Sequence, residues 1–380
     1  MRTPLAWLNL VHEKTRLLVA IAGVAFAVLL IFMNLGFLGA LTKSATLAYS
    51  QIDADVFLVS PQTTDLSGTD PFPIERLYQA DGISGVERIM PLYVGYLQWL
   101  NPETRISRAI FVYGINPDDP IFLLPGVQQP ENRAALRQPN TVLMDRRSRP
   151  EYGVPTIGTI TELDRRNVEI VGLFSLGGGF ASDASLIMSD QNFRRFFDPR
   201  PLSQIDLGLI QLVEGTDAGQ VAEKMRASLP EDVLVLTRQE MLKRETDYWI
   251  ITTSTGFIFG MGVVVSFIVG TVIVYQVLYT DVASHMAQFA TLKAMGYRSY
   301  YLFVLVLQEA IILSVLGYVP GFIISLGLYE MTFRATSGGL PIAMNGRRAI
   351  AVLLLTVIMC AISGVVSVQK AVRTDPAEVF

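Results

Sequence analysis

Four stretches of this chain are free, or nearly free, of charged side chains over the length needed to cross a bilayer. A helix rises 1.5 Å per residue and the hydrocarbon core is roughly 30 Å thick, so a span takes about 20 apolar residues. The stretches predict spans at 17–42, 248–280, 301–329 (interrupted by Glu309) and 349–369. Charge elsewhere is concentrated: residues 43–247 carry 28 acidic and 20 basic side chains, leaving 16 charges for the other 175 residues. That contrast excludes a wholly soluble enzyme, a disordered scaffold and a collagen-like fibre. It predicts a membrane protein with four transmembrane α-helices and one large extracytoplasmic α+β domain, including a stalk, between the first and second.

The first apolar run is far longer than the core of a secretory leader, so it reads as a retained span. Residues 1–16 before it read as a cytoplasmic amphipathic helix lying at the interface, capped by Thr3 with Pro4 at its first position. With the N-terminus inside, the cytoplasmic segments hold Arg2, Lys14, Arg16, Lys293, Arg298, Lys370 and Arg373, against Arg334, Arg347 and Arg348 in the short outer loop 330–348. The balance puts both termini, including 370–380, in the cytoplasm. The second uncharged stretch has 33 residues, more than a span needs. Trp249 and the run Thr252–Thr253–Ser254–Thr255 suit an interface, and a continuous helix from Arg238 through Tyr279 is expected to join the outer domain to the inside.

Within 43–247, β-branched and aromatic content predicts strands at 54–60, 93–100, 108–115, 141–145, 168–174, 184–189, 205–213 and 232–237. Helices are expected at 72–80, 189–197 and 216–230, the last capped by Thr216. The remaining features give little chemistry. Gly177–Gly179 lacks a following GK[ST] and reads as a flexible turn rather than a phosphate loop. Arg146, Arg147 and Arg149 read as a solvated face, with binding of an anionic head group or a partner as the alternative. One cysteine (Cys360, in an apolar run) and two histidines on separate segments make neither a disulfide framework nor a metal site. No basic face suggests nucleic acid, and the spacing supports no catalytic constellation, so no enzymatic activity and no cofactor are expected in this chain.

Small residues recur four apart at Gly256/Gly260, Gly262/Ser266/Gly270 and Gly317/Gly321/Ser325. Such spacing lets helices approach closely, within one subunit or between two. Pro320 is expected to kink the third span. Glu309 is an intramembrane carboxyl, which reads as a hydrogen-bonded latch to another helix or a link toward Arg298, with proton coupling as the alternative. Between the second and third spans, segment 281–300 carries a short amphipathic helix. Val282, Met286, Phe289, Ala290 and Met295 share its apolar face and Gly296 ends it; the face suits either lipid or a partner's groove.

QFATLKAMGY followed by LQEAIILSVLGYVPGF resembles the MacB/FtsX-like permeases of ABC exporters, most closely the cyanobacterial DevC type associated with heterocyst glycolipid export. GFIFGMGVVVSFIVGTVIVYQVLYTDV and the terminal DPAEVF fit the same group. The resemblance implies four spans, a large periplasmic domain after the first, and a bacterial inner-membrane location. It implies a homodimer of this permease working with a separate ATPase that holds ATP and Mg, a periplasmic membrane fusion protein and a TolC-like outer-membrane channel. By the same resemblance Gln288, Phe289, Ala290, Thr291, Leu292, Lys293, Ala294, Met295 and Gly296 form the coupling helix that contacts the ATPase. The chain departs from the pattern at Ser284–His285–Met286 and at Gln288, where many relatives have Glu. Because the chain has no Walker A sequence, hydrolysis is expected in the partner. The expected function is mechanical: motion of the ATPase drives the periplasmic domain to expel substrate. Release of lipoproteins, regulation of a periplasmic hydrolase, and a membrane sensor with a periplasmic ligand-binding domain are the alternatives.

Overall fold

The computed structural model describes residues 7, 11–12, 14–178, 182–286, 291, 295, 299–336 and 340–373. The chain divides into two compact units. One comprises Met1–Gly39, Phe257–Thr332 and Ile342–Phe380; the other comprises Ala40–Gly256 and Phe333–Pro341. The expected N-terminal amphipathic helix and most of the coupling helix lie outside the described residues.

Four long helices, Lys14–Ala45, Ser254–Ser284, Ser299–Ala335 and Gly346–Arg373, are long and apolar enough to cross a membrane. In hydrocarbon each backbone N–H and C=O must be paired within the protein, which an unbroken helix achieves by itself. Their shared core takes Val24, Val28 and Phe32 from the first, Val274 and Leu278 from the second, Ala310 and Leu313 from the third, and Val352, Met359 and Cys360 from the fourth. The third helix runs through Pro320.

The second unit is built on a nine-stranded mixed sheet. Its strands are β1 (Val56–Val59), β3 (Val86–Leu100), β4 (Ser107–Ile115), β5 (Thr141–Asp145), β6 (Ile160–Leu163), β7 (Arg166–Phe174), β8 (Ser185–Ser189), β10 (Leu207–Leu212) and β11 (Leu234–Thr237). The order is β11-β1-β10-β3-β4-β8-β5-β7-β6, and β6 returns to pair with β3 at Trp99–Leu163. β2 (Phe72–Pro73) and β9 (Gln204–Ile205) form a separate short ribbon. Most pairs are antiparallel; β4–β8 and β5–β7 are parallel.

Strand side chains alternate between two cores. Val56, Leu58, Tyr93, Leu97, Val112, Met144 and Leu186 enter one, with the helices Glu75–Asp81, Asp190–Phe196 and Ala218–Ser228. Phe57, Val59, Leu92, Val94, Phe111, Leu143 and Ile187 enter the other, with Leu47–Ser50, Pro125–Gln128, Pro130–Leu136 and Arg238–Asp247. A sheet covered on both faces needs apolar runs, which is why VFLV and the Val142–Leu143–Met144 stretch of β5 carry no polar residue. Trp99 is buried, with its Nε1–H donated to the Tyr152 carbonyl at 2.9 Å.

Two expectations are corrected. The helix near 216–230 is capped by Asp217, which accepts from the Gly219 and Gln220 amides, and not by Thr216. The continuous helix from Arg238 through Tyr279 is broken. Arg238–Asp247 passes into a π-helical turn, Tyr248–Thr252, and Thr253 is extended (φ −85°, ψ 148°) before Ser254–Ser284 begins. The cause is local. The run Ile250–Ile251–Thr252–Thr253 is β-branched throughout and disfavours helix. Thr253 then caps the next helix, its Oγ1 accepting from the Gly256 amide at 3.3 Å.

The domain also holds a buried carboxylate, Asp206, paired with half-buried Arg200. Asp206 accepts from the Val94 amide (2.7 Å), Thr69 Oγ1 (2.8 Å) and Arg200 Nη2 (2.7 Å), joining the β9–β10 turn to β3. Asp206→Ala leaves the buried Val94 amide and the Thr69 hydroxyl without their acceptor, while half-buried Arg200 can turn to water, and is expected to destabilise the domain by about 1–3 kcal/mol. Urea unfolding followed through buried Trp99 measures the loss.

Candidate functional site

The C-terminal end of the second long helix is polar and partly buried. Asp281 and His285 are both buried, with His285 Nδ1 2.9 Å from the Asp281 carbonyl and 3.7 Å from its Oδ1. Arg16, near the start of the first long helix, donates to Ser284 Oγ at 2.8 Å. Val282 packs with Leu305, Val306 and Val368, so three helices hold the residues that lead into the coupling segment. Of that segment only Thr291 and Met295 are described. Both are exposed, and the Met295 amide donates to the Thr291 carbonyl at 3.0 Å. Gln288, Phe289, Ala290, Leu292, Lys293, Ala294 and Gly296 lie outside the described residues.

Glu309 is fully buried in the third helix. The small residues take different positions. Gly317 packs against Val24, and Gly321 against Val28 and the Ala25 carbonyl. Gly262 faces Asn34, whose Nδ2 lies 3.5 Å from Ser266 Oγ, and Gly270 faces Met359 and Ala27. Side chains at these glycines would displace a neighbouring helix. Gly260 has open space around its α-carbon, and Gly256 serves the joint instead of a helix pair. A Cβ on Gly256 would strike the Trp249 and Ile250 carbonyl oxygens of its own chain.

The joint is fastened by a group that sequence reading missed. Glu245, 1% exposed, accepts at Oε1 from Trp249 Nε1 (3.1 Å) and the Leu66 amide (3.3 Å). The Tyr49 hydroxyl, from the turn of helix that follows the first long helix, is a further donor facing the same carboxyl. One carboxyl thus gathers the residues after the first span, a loop of the domain, and the residues before the second span. Burial pushes Glu245 up to about 7; the Leu66 amide opposes the rise and Asp65 adds to it. Tyr49 is also raised, by burial first and by Glu245 second. The sequence signal was an acidic residue four positions before an interfacial Trp on a helix, a spacing that puts the two side chains on one face.

Two family models match the chain. A MacB-like periplasmic core domain matches residues 17–228 and an FtsX-like permease C-terminal domain matches 247–376. Three solved structures are similar in part. The periplasmic region of MacB from Actinobacillus actinomycetemcomitans is 10% identical at a TM-score of 0.36, over 50% of this chain and 92% of that one. The extracellular domain of the noncanonic ABC-type transporter YknZ from Gram-positive bacteria is 13% identical at 0.34, over 48% and 99%. A domain of a permease protein from Porphyromonas gingivalis is 16% identical at 0.31, over 50% and 89%. None of the curated proteins compared matches the chain.

The periplasmic model alone spans more than half of the chain, so the chain belongs to the MacB/FtsX-like permease family. It is an ABC-type permease subunit of the inner membrane, with several spans and a periplasmic domain, and its partner is of the ABC ATPase kind.

Glu245 gives the domain a pH signature. Below the ordinary carboxylate range both folded and unfolded chains hold its proton, and its contribution to stability is complete. As pH rises, the unfolded chain ionises first, and the stability is lost up to and through about pH 7, by roughly 3 kcal/mol in total. Thermal unfolding from pH 4.5 to 8 is expected to show this fall, and Glu245→Gln to flatten it.

Proposed function

We propose that this chain is the permease of a tripartite ABC exporter and moves substrate by transmitting force to its periplasmic domain. Two copies pair with an ATPase that holds ATP and Mg. A periplasmic fusion protein and a TolC-like outer-membrane channel complete the path, and the N- and C-termini are cytoplasmic. ATP binding closes the ATPase on the coupling helices at 288–296, and the motion travels outward along the spans. The cargo is an amphiphile already in the periplasm or at the outer leaflet, a glycolipid if the DevC-type likeness extends to substrate.

The observation that carries this reading is the pair of unequal connections to the periplasmic domain. The first long helix runs without a break from Lys14 to Ala45, whereas the second connection bends at Thr253 under Gly256. One stiff and one jointed connection, tied together by Glu245, convert an axial push into a rotation of the domain. A stiff pair would only translate it.

Co-purification with its ATPase, followed by hydrolysis assays, tests the proposal. The wild-type chain is expected to bind the ATPase and change its turnover. Ala290→Asp, on the apolar face of the coupling helix, should weaken that association at least tenfold. Gly256→Ala should leave association intact while reducing export, because the added methyl opens the joint. If no ATPase associates, or if Ala290→Asp changes neither binding nor turnover, the exporter reading fails.

A further inference from the structure

The second and third long helices flank the coupling segment in the chain and are joined to it covalently. The first long helix has no such link, so motion that enters at the coupling segment reaches it only through contacts between side chains. Those contacts follow one antiparallel register along the second helix: Gly23 faces Ile273, Ala27 faces Gly270, and Asn34 faces Gly262. Small residues bring the two backbones close, but dispersion contacts have no preferred direction and resist sliding along the axis only weakly. Midway along the seam, Asn34 Nδ2 donates to the Leu30 carbonyl of its own helix at 2.9 Å and reaches Ser266 Oγ only at 3.5 Å.

The directional contact lies at the end of the seam nearest the coupling segment. Half-buried Arg16 donates through Nη1 to Ser284 Oγ at 2.8 Å. Ser284 in turn donates its hydroxyl proton to the Asp281 carbonyl at 2.8 Å, which leaves the lone pairs of Oγ for the guanidinium. Arg16 stands in the first turn of its own helix, which holds no acidic residue, and a cation there opposes the helix dipole. Ser284 is the last residue of the second helix, where carbonyls lack helical partners and the dipole is negative. A charge that is unfavourable on its own helix is thus favourable against its neighbour. Its hydrogen bond is charge-assisted and fixes the axial position of the first helix at the entry to the coupling segment.

We propose that Arg16 is a positioning residue that carries the motion of the coupling segment to the first long helix, by holding Ser284 so that the two helices shift along their axes as one body. The inference rests on the exporter reading, which supplies the moving ATPase. It gives the unbroken first helix its share of the push, which the chain itself delivers only to the second and third.

The test places spin labels at exposed Leu18 and Ile268, one on each helix, in full chains diluted with unlabelled chain and bound to the ATPase in lipid nanodiscs. Cys360 is buried and stays in place. In the wild-type chain the distance is expected to be the same in the nucleotide-free and ATP-trapped complexes. Arg16→Ala and Ser284→Ala should each let it change by about 2 Å or more on ATP trapping. The double variant should slip no further than either single one, and Arg16→Lys, which keeps a charged donor, should restore at least half of the wild-type behaviour. A distance that changes in the wild-type chain overturns the proposal, whether or not any variant folds. So does a distance that stays fixed in both alanine variants. Slip in Arg16→Ala with none in Ser284→Ala also overturns it, and assigns Arg16 to lipid phosphates instead. Failure of the exporter reading is seen separately, as a wild-type chain that binds no ATPase.

Discussion

The Glu245 carboxyl is the constraint on which the rest of this molecule turns. It is buried, it is held by the Leu66 amide and the Trp249 indole, and it faces Tyr49. These three residues come from the domain's own loop, from the approach to the second span and from the exit of the first. Without that tie, the π-helical turn and the extended Thr253 would leave the second connection a loose tether. With it, the bend has a fixed pivot. Holding a carboxyl there is costly, because burial removes it from water, and its raised pKa is the physical sign of that cost.

The pivot needs a rigid body to act on, and the two-sided sheet provides it. Alternate residues of β1, β3, β4, β5 and β8 enter opposite cores, so neither face can slip by one residue without moving apolar side chains to the wrong layer. β6 closing on β3 through Trp99–Leu163 and the Asp206–Arg200 pair at the β9–β10 turn stiffen the same body. Among the long helices, small residues bring backbones close: Gly317 and Gly321 against the first helix, Gly270 between Ala27 and Met359. Ser363 adds a polar tie, donating to the Thr271 carbonyl of the second helix at 2.8 Å.

The class of fold was legible in the sequence because it follows from charge and period. Uncharged runs gave the four long helices, and β-branched runs such as VFLV and TVLMD gave the central strands. β6 was missed because ITEL is short and half polar, and β3 was read too short because its first half, VERIMPL, carries Pro91 and two charges. The unbroken second helix was misread for a different reason. Hydropathy counts Ile250, Ile251 and Thr252 as span-like, whereas the backbone responds to their β-branching and to Thr253 as a cap. Glu245 and Tyr49 went unnoticed because their importance depends on meeting across about 200 positions of chain, which no local pattern reports.

The central claim is that ATPase motion reaches the periplasmic domain by bending the chain at Thr253. Spin labels at exposed Gln239 and Ile258 flank the joint and report its angle as a distance within one chain. With the partner ATPase trapped in its ATP-bound state, the account predicts a distance distribution displaced from that of the nucleotide-free complex. An identical distribution in the two states, from a complex that hydrolyses ATP normally, would contradict it.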